Sequence, residues 1–313
     1  MLKTFLKGLL LFALFFLSSL FYLLYESFSP ESLGLLLTLD KRFLALALFF
    51  VFLAHTFDNL RLFVLARAFG VKYSFLYGYA VSFVNSFGAT VTPAHLGGEG
   101  SAVYMLMRKG ARAHQVALIV TLKTVTGLSF FLLALPFVAY QLFKRPEETL
   151  RVLLLVLGSA LLVGLLYLMG RRNAERRTVK KLKQFLLRYA AGLRSFYRKG
   201  KAVFFLACLF GVLLYLSFLA VGVALLYAFG RSVDPLTALY DQLTLLYAIF
   251  ISPTPGGSGV GELGGLVVFS KYLPKTELGL FVLLWRFLSQ YASAFLGGLL
   301  LTLCLITDLK RLS

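Results

Sequence analysis

The chain has 313 residues, of which 59% are apolar and 14% are charged, and its net charge is +19. Soluble domains contain about 25% charged residues, so this composition excludes a soluble globular protein. The cations are also clustered, because 12 of the 32 Lys and Arg residues lie between Arg171 and Lys201. Such clustering is typical of the cytoplasmic face of a membrane protein. A nucleic-acid partner is therefore not expected.

Long uncharged stretches separate the charged residues. One has 29 residues, between Lys201 and Arg231, and four others have 18 to 21. A helix of roughly 20 residues crosses the hydrocarbon layer, and the stretches lack the alternation of membrane β-strands. We predict an all-α polytopic membrane protein with about six full spans. They run at about 5–25, 43–66, 114–140, 150–170, 203–229 and 277–303.

Charge bias orients these spans. The first stretch resembles a secretory signal but has no small-residue cleavage site, so we interpret it as a retained span. If the N-terminus is cytoplasmic, 22 cations fall on the cytoplasmic side and 8 on the other. This bias predicts an inner-membrane protein with both termini in the cytoplasm. The segment 171–201 is predicted to be a basic amphipathic linker against anionic lipid headgroups, with a solvated loop as the alternative.

Two apolar regions are interrupted by Pro and Gly in similar ways. The first contains VTPAHLGGE from Val91, and the second contains SPTPGGSGVGE from Ser252. Three pairs match with an offset of 162 and three more with an offset of 163. The pairs are Thr92 and Thr254, Pro93 and Pro255, Gly97 and Gly259, Glu99 and Glu262, Arg112 and Lys275, and Lys123 and Arg286. We interpret this register as an internal repeat.

The predicted spans make the two copies inverted relative to each other. Repeat one covers about 43–140 and repeat two about 203–305, within a single transmembrane domain of residues 1–313. The shorter helical pieces beside each break reach only about 22 Å, so re-entrant hairpins fit better than full spans. Inverted repeats with broken helices are typical of transporters whose binding site lies near the membrane midplane.

Lys123 and Arg286 are the main candidates for a binding site. Each lies 11 residues beyond the preceding matched cation, which is about 16 Å of helix and places it near the midplane. A charge there is costly and normally has a partner. In one interpretation, Glu99 and Glu262 form structural salt bridges with the two cations. In the other, both cations and the amides of helices that follow the prolines bind an anion such as phosphate, while the glutamates balance charge or exchange protons.

Further candidates surround the breaks, where glycines permit tight turns or close approach of a ligand. They are Thr92, Pro93, Gly97, Gly98, Thr254, Pro255, Gly256, Gly257, Gly259, Asn85 and His95. Asn85 and Gln290 are expected to line the site or, equally, to form interhelical hydrogen bonds. His55 is assigned to packing or to the membrane interface, and Asp58 with Arg61 to a local ion pair. No common catalytic motif is present, so we expect no enzyme activity, no cofactor and no metal.

At these residues the sequence resembles the lysylphosphatidylglycerol synthase transmembrane region, also called the flippase-like domain. The family pattern Pro-Thr-Pro-Gly-Gly-x-Gly-x-x-Glu matches Pro253 to Glu262 closely. The first-half pattern, Asn-x-x-Pro-x-x-x-Gly-Gly-Glu, matches more loosely. Ala102 and Lys123 stand where the family often has Arg. The resemblance covers roughly residues 5–305.

The resemblance implies movement of a lipid with an anionic or modified headgroup between leaflets. Aminoacylated phosphatidylglycerol and polyprenyl-phosphate sugars are the family's examples. Fused members carry a soluble aminoacyl-transfer domain, and a chain that ends at Ser313 is expected not to make aminoacyl-lipid. The alternatives are a secondary transporter of a soluble anion and an embedded lipid-phosphate or glycosyl-transfer enzyme. Membrane lipids are the expected partners, and a homo-oligomer is compatible with the sequence.

Overall fold

The computed structural model describes residues 30–92, 95–144 and 200–310, with residues 154, 157, 189, 191–194 and 196–197. Outside the described residues lie the predicted span at about 5–25, all but residues 154 and 157 of the predicted span at about 150–170, most of the linker 171–201, and Pro93. The described chain is helical and contains no strand. Its helices are α1 (Pro30–Thr38), α2 (Lys41–Ala68), α3 (Phe75–Thr90), α4 (Leu96–Arg108), α5 (Ala113–Lys144), α6 (Lys201–Ala228), α7 (Pro235–Ile251), α8 (Val260–Phe269), α9 (Lys275–Arg286) and α10 (Ala292–Lys310). A π-helical turn, Phe287–Tyr291, joins α9 to α10 without a break.

Four segments of the described chain are long and apolar enough to cross a membrane. They are α2, the Ala113–Gln141 part of α5, α6, and the continuous segment Lys275–Lys310. These correspond to the four predicted spans that fall on described residues. The helices beside the breaks are shorter, and α8, with 10 residues, reaches only about 15 Å. The re-entrant course of these short helices stays a prediction.

The helices occur in the same order twice: long, short, short, long. The first series is α2 to α5, and the second is α6 to α10. Gly70 and Gly230, after the first helix of each series, have φ of 76° and 71°. Ser74 and Asp234 then cap α3 and α7. Hydrogen bonds from Thr237 hold the pKa of the Asp234 carboxyl below its usual value. Equivalent turns and caps therefore recur at an offset of 160.

Each helix series contributes residues to the hydrophobic core of the other. Helix α2 lies along α6, and the fully buried Ala47 and Ala207, one on each helix, both belong to the core of the other series. Helix α3 packs on α10, and α7 packs on α5, where the Gln141 amide donates to the Tyr240 carbonyl at 2.6 Å. Small residues at the α2–α6 contact allow close approach of two long helices.

Large apolar side chains cover much of the outer surface. Phe52 on α2, Leu132 on α5 and Leu303 on α10 are each more than half exposed. Exposed Leu and Phe side chains along helices of this length are stable in hydrocarbon. The outer surface of the described helices is therefore largely apolar, and many of their polar side chains are buried.

Candidate functional site

A cavity of about 220 Å³ lies between both helix series. Helices α2 to α7 and the π-helical turn contribute to its wall. Its polar lining residues are His55, Asp58, Arg61, Ser82, Asn85, Ser86, Thr90, His95, Glu99, Lys123, Tyr215, Ser289 and Gln290. Five of the predicted site residues line the cavity. They are Asn85, His95, Gly98, Glu99 and Lys123.

Asp58 is the centre of a buried charged cluster in this cavity. Arg61 Nη2 donates to Asp58 Oδ1 at 2.7 Å, and Lys123 Nζ lies 3.7 Å from the same oxygen. Ser82 Oγ donates to Asp58 Oδ2 at 2.8 Å, and Lys123 Nζ donates to Asn85 Oδ1 at 3.1 Å. The ion pair predicted between Asp58 and Arg61 is present, but it is buried and includes a second cation from α5.

The structure corrects the predicted partner of Lys123, which is Asp58 and not Glu99. Glu99 Oε1 instead accepts a hydrogen bond from Thr124 Oγ1 at 3.1 Å. Its other oxygen is buried and has no hydrogen-bond partner in the described part of the chain. Thr124 is exposed, and the neighbouring Val125 on α5 is 44% exposed. Glu99 therefore lies between the cavity and the outer face of α5.

Two histidines also line the cavity. His55 contacts Ser82 Oγ through Nδ1 at 2.9 Å and Ser293 Oγ through Nε2 at 2.7 Å, so it connects α2, α3 and α10. His95, at the start of α4, has a positive φ of 58° and stacks on Phe250 with 5.1 Å between ring centroids. The assignment of His55 to packing missed these hydrogen bonds.

Arg286 belongs to a second, buried cluster of charged and polar groups. Its Nε donates to Glu262 Oε1 at 2.9 Å and its Nη2 donates to the Gly256 carbonyl at 3.1 Å. Arg286 is 0% exposed and Glu262 is 2% exposed, and neither residue lines the cavity. The Tyr291 hydroxyl also contacts Glu262. The predicted salt bridge is thus present in the second series, and the predicted shared chamber for both cations is absent from the described structure.

The glycines of the second break form a tight turn. Gly256, Gly257 and Gly259 have φ of 59°, 65° and 82°, which side chains rarely permit. Gln290 donates to the Gly256 carbonyl at 2.9 Å and to Thr90 Oγ1 at 3.1 Å. Gln290 therefore joins this turn to α3, and it lines the cavity.

The predicted exposed amides are not found at α8. This helix begins at Val260, and the amide of its N-cap residue Gly259 donates to Glu262 Oε2 at 2.6 Å. The carboxylate thus occupies the end of the helix that was predicted to bind an anion. An acidic residue in the first turn stabilises a helix by pairing with its amides.

The remaining predicted residues stabilise the breaks. Thr92 Oγ1 accepts from the Gly97 amide at 2.6 Å and donates to the Gly88 carbonyl at 2.7 Å. Thr254, which is fully buried, bonds the Ser252 hydroxyl, and the Pro255 carbonyl accepts from Ser258. None of the predicted residues in this group lines the cavity.

Asp58, Arg61 and Ser82 were not predicted as cavity residues, whereas Gln290 was predicted as a possible polar lining residue and does line the cavity. The sequence did contain a signal for Asp58. It is the first charged residue after Arg42 and lies within the predicted span 43–66, where a charge is unusual. A charged residue at that depth indicates a functional cavity by default.

Long apolar helices around a buried polar cavity define a multi-pass membrane protein. The family model of the lysylphosphatidylglycerol synthase TM region matches residues 8–297, so the chain belongs to this family. It is also similar to a UPF0104 membrane protein of Archaeoglobus fulgidus, with 23% identity over 273 residues. That match covers 79% of this chain and 82% of the archaeal protein. The resemblance drawn from the sequence motifs is confirmed.

Proposed function

We propose that this protein is a lipid translocase of the cell membrane, with both termini in the cytoplasm. Its substrate is an anionic or phosphate-bearing lipid, such as a phosphatidylglycerol derivative or a polyprenyl-phosphate-linked glycolipid. The observation that supports this most strongly is the cavity, which contains buried cations and is surrounded by helices with apolar outer faces. Buried ionisable groups in membrane helices commonly mark a substrate pathway.

Lys123 is the cation best placed to meet a headgroup. Its ammonium has three donor hydrogens, and it lies at the cavity wall beside Asn85 and Asp58. The separation of 3.7 Å from Asp58 is longer than a charge-assisted hydrogen bond, so the ion pair can be exchanged for a bound anion. Arg286 has the different role of holding the second break together.

A lipid substrate is favoured over a soluble anion by the position of Glu99. Its side chain lines the cavity and bonds Thr124, which lies among exposed side chains of α5. A headgroup can enter between α4 and α5 there while the acyl or prenyl tail stays against the apolar face. We propose that the two breaks form re-entrant hairpins whose movement alternates access to the cavity. The proposed activity is transport, not enzymatic conversion, and needs no cofactor.

The proposal can be tested in proteoliposomes with phosphatidylglycerol that carries a fluorophore on one acyl chain. Dithionite quenching of the outer leaflet then reports translocation. We expect Lys123→Met to slow translocation at least about tenfold, because one strong charged contact is lost. Lys275→Met removes an exposed cation at the start of α9 and serves as the matched control, with a rate near wild type.

Equal rates for wild type and Lys123→Met would refute the assigned role of Lys123. A polyprenyl-phosphate glycolipid is assayed in parallel to identify the preferred lipid. Uptake of inorganic phosphate with no movement of either lipid would instead establish the soluble-anion alternative.

A further inference from the structure

We infer that Arg61 and Lys123 together form a two-cation site for one phosphate group, and that Asp58 is an internal competitor for this site. The inference rests on the proposed function and assigns a binding role to Arg61, which lies on α2. The two side chains approach from different helices and meet at one carboxylate oxygen, Asp58 Oδ1, at 2.7 Å and 3.7 Å.

Arg61 has unused hydrogen-bonding capacity inside the protein. Its side chain is 6% exposed and lines the cavity. Nη2 donates to Asp58, and the Tyr215 hydroxyl lies close to the guanidinium. Nε and Nη1 are buried and make no hydrogen bond of good geometry to the described residues. Buried donors are nearly always paired, and a planar guanidinium can donate parallel N–H bonds to two oxygens of one phosphate. These two nitrogens carry three N–H bonds, which point to a ligand with several acceptor oxygens.

Gly127 makes room for this guanidinium on α5. A Cβ atom at residue 127 would lie 2.7 Å from Arg61 Nη1, which is too close for an undistorted contact. Gly127 is four residues after Lys123, so both positions face the same side of α5. The absence of a side chain at residue 127 thus lets Arg61 lie beside Lys123.

The charge of the inner cluster matches a phosphate with one negative charge. Arg61 and Lys123 carry two positive charges and Asp58 carries one negative charge, which leaves +1. Glu99 also lines the cavity, but in the described structure it forms an ion pair with neither cation and accepts from Thr124 on α5. A phosphodiester carries a single negative charge and would neutralise this +1. The second negative charge of a phosphate monoester would need a further cation.

The second helix series shows that the fold does not need these charges. At the offset of 160 that relates α2 to α6, Asp58 corresponds to Phe218 and Arg61 to Val221. Val221 is buried in an apolar core. Departures from apolar packing that bring no evident structural gain are expected at functional sites.

Binding can be measured by titration calorimetry on the full chain in detergent micelles. The probes are dimethyl phosphate as a soluble phosphodiester, dioctanoyl-phosphatidylglycerol as a lipid phosphodiester, and dioctanoylglycerol as the tail without phosphate. We expect Arg61→Gln to weaken lipid phosphodiester binding about tenfold or more. Arg108→Gln, which removes a cation paired with Asp308 outside the cavity, should bind as wild type.

Two further variants separate the site from effects on folding. Asp58→Asn removes the competing carboxylate, so we expect about tenfold tighter binding, a gain that misfolding cannot produce. Gly127→Ala keeps every charge but displaces Arg61 and should weaken binding. Gly34→Ala is its control, since a Cβ atom at Gly34 meets nothing within 4 Å.

Wild-type affinity in both Arg61→Gln and Asp58→Asn would overturn the two-cation site, even if lipid translocation is observed. The predicted shifts with dimethyl phosphate, in a protein that moves no lipid, would support the site and contradict the lipid translocase. Tight binding of dioctanoylglycerol would show that the tail, not the phosphate, is recognised, and would overturn the inference.

Discussion

Lys123 and Arg286 occupy matching positions in the two helix series, but their surroundings give them different roles. Lys123 lies at a cavity wall and shares Asp58 with Arg61. Arg286 is fully buried against Glu262 and does not line the cavity. Matching positions in a repeat thus keep the charge and differ in what surrounds it.

We therefore predict that Arg286→Met destabilises the fold, while Lys123→Met affects mainly transport. Removing Arg286 leaves Glu262 as an unpaired buried carboxylate, which costs about 3–5 kcal/mol. Removing Lys123 leaves Asp58 paired with Arg61, and the expected loss is about 1–2 kcal/mol. The measurement is the free energy of unfolding of each purified variant in the same detergent.

A double variant provides the control for this comparison. Arg286→Met with Glu262→Gln removes both charges, so part of the stability lost in the single variant should return. Equal stability of Arg286→Met and wild type would show that the Arg286–Glu262 pair does not hold the second break.

The turn between α7 and α8 requires glycine for two separate reasons, a positive φ angle and close packing. Gly259 has φ of 82° but free space where a Cβ atom would lie, so Gly259→Ala introduces backbone strain alone, at about 1–3 kcal/mol. Gly256 has φ of 59°, and a Cβ atom there would lie 2.4 Å from Gln290 Nε2. Gly256→Ala should therefore destabilise the protein more than Gly259→Ala, as measured by thermal unfolding.

Gly100→Ala is the matched control, because Gly100 is helical and a Cβ atom there meets nothing within 4 Å. Alanine is favoured over glycine inside a helix by about 0.5–1 kcal/mol, so this variant should be as stable as wild type or more stable. A Gly256→Ala protein as stable as Gly100→Ala would contradict the packing of Gln290 against the turn.

The long helices were predictable and the turn was not, for physical reasons. Long apolar stretches predict the ends of α2 and α6 to within about two residues, because the thickness of the hydrocarbon layer leaves little freedom in helix length. The start of α8 depends on positive φ at consecutive glycines and on the contact of Glu262 with the Gly259 amide. Sequence spacing shows that glycines permit a turn, but it does not show where the turn ends.

The charged cluster was predicted only in part, for a related reason. Asp58 and Arg61 are three residues apart, and a local ion pair explains this spacing on a helix. The approach of Lys123 from α5 depends on how α2, α3 and α5 pack, which periodicity within each helix does not determine. One of the two interpretations consequently paired Glu99, one turn into α4, with Lys123, which Asp58 contacts instead.

The predicted inversion of the two helix series determines on which side of the membrane their equivalent loops lie. Lys72 and Ser232 are exposed loop residues at the offset of 160, directly before α3 and α7. If the two series are inverted, these residues lie on opposite sides of the membrane. The charge bias places Lys72 on the cytoplasmic side.

We predict that Lys72→Cys and Ser232→Cys react with a membrane-impermeant maleimide from opposite sides. The two native cysteines, Cys208 and Cys304, are first replaced by Ala, so that each variant has one thiol. In intact cells only Ser232→Cys should be labelled, and in inside-out vesicles only Lys72→Cys. Labelling after solubilisation in detergent checks that each thiol is reactive. Labelling of both variants from the same side would mean that the series run parallel, so that Lys123 and Arg286 approach the membrane interior from one face and the alternating-access mechanism loses its structural basis.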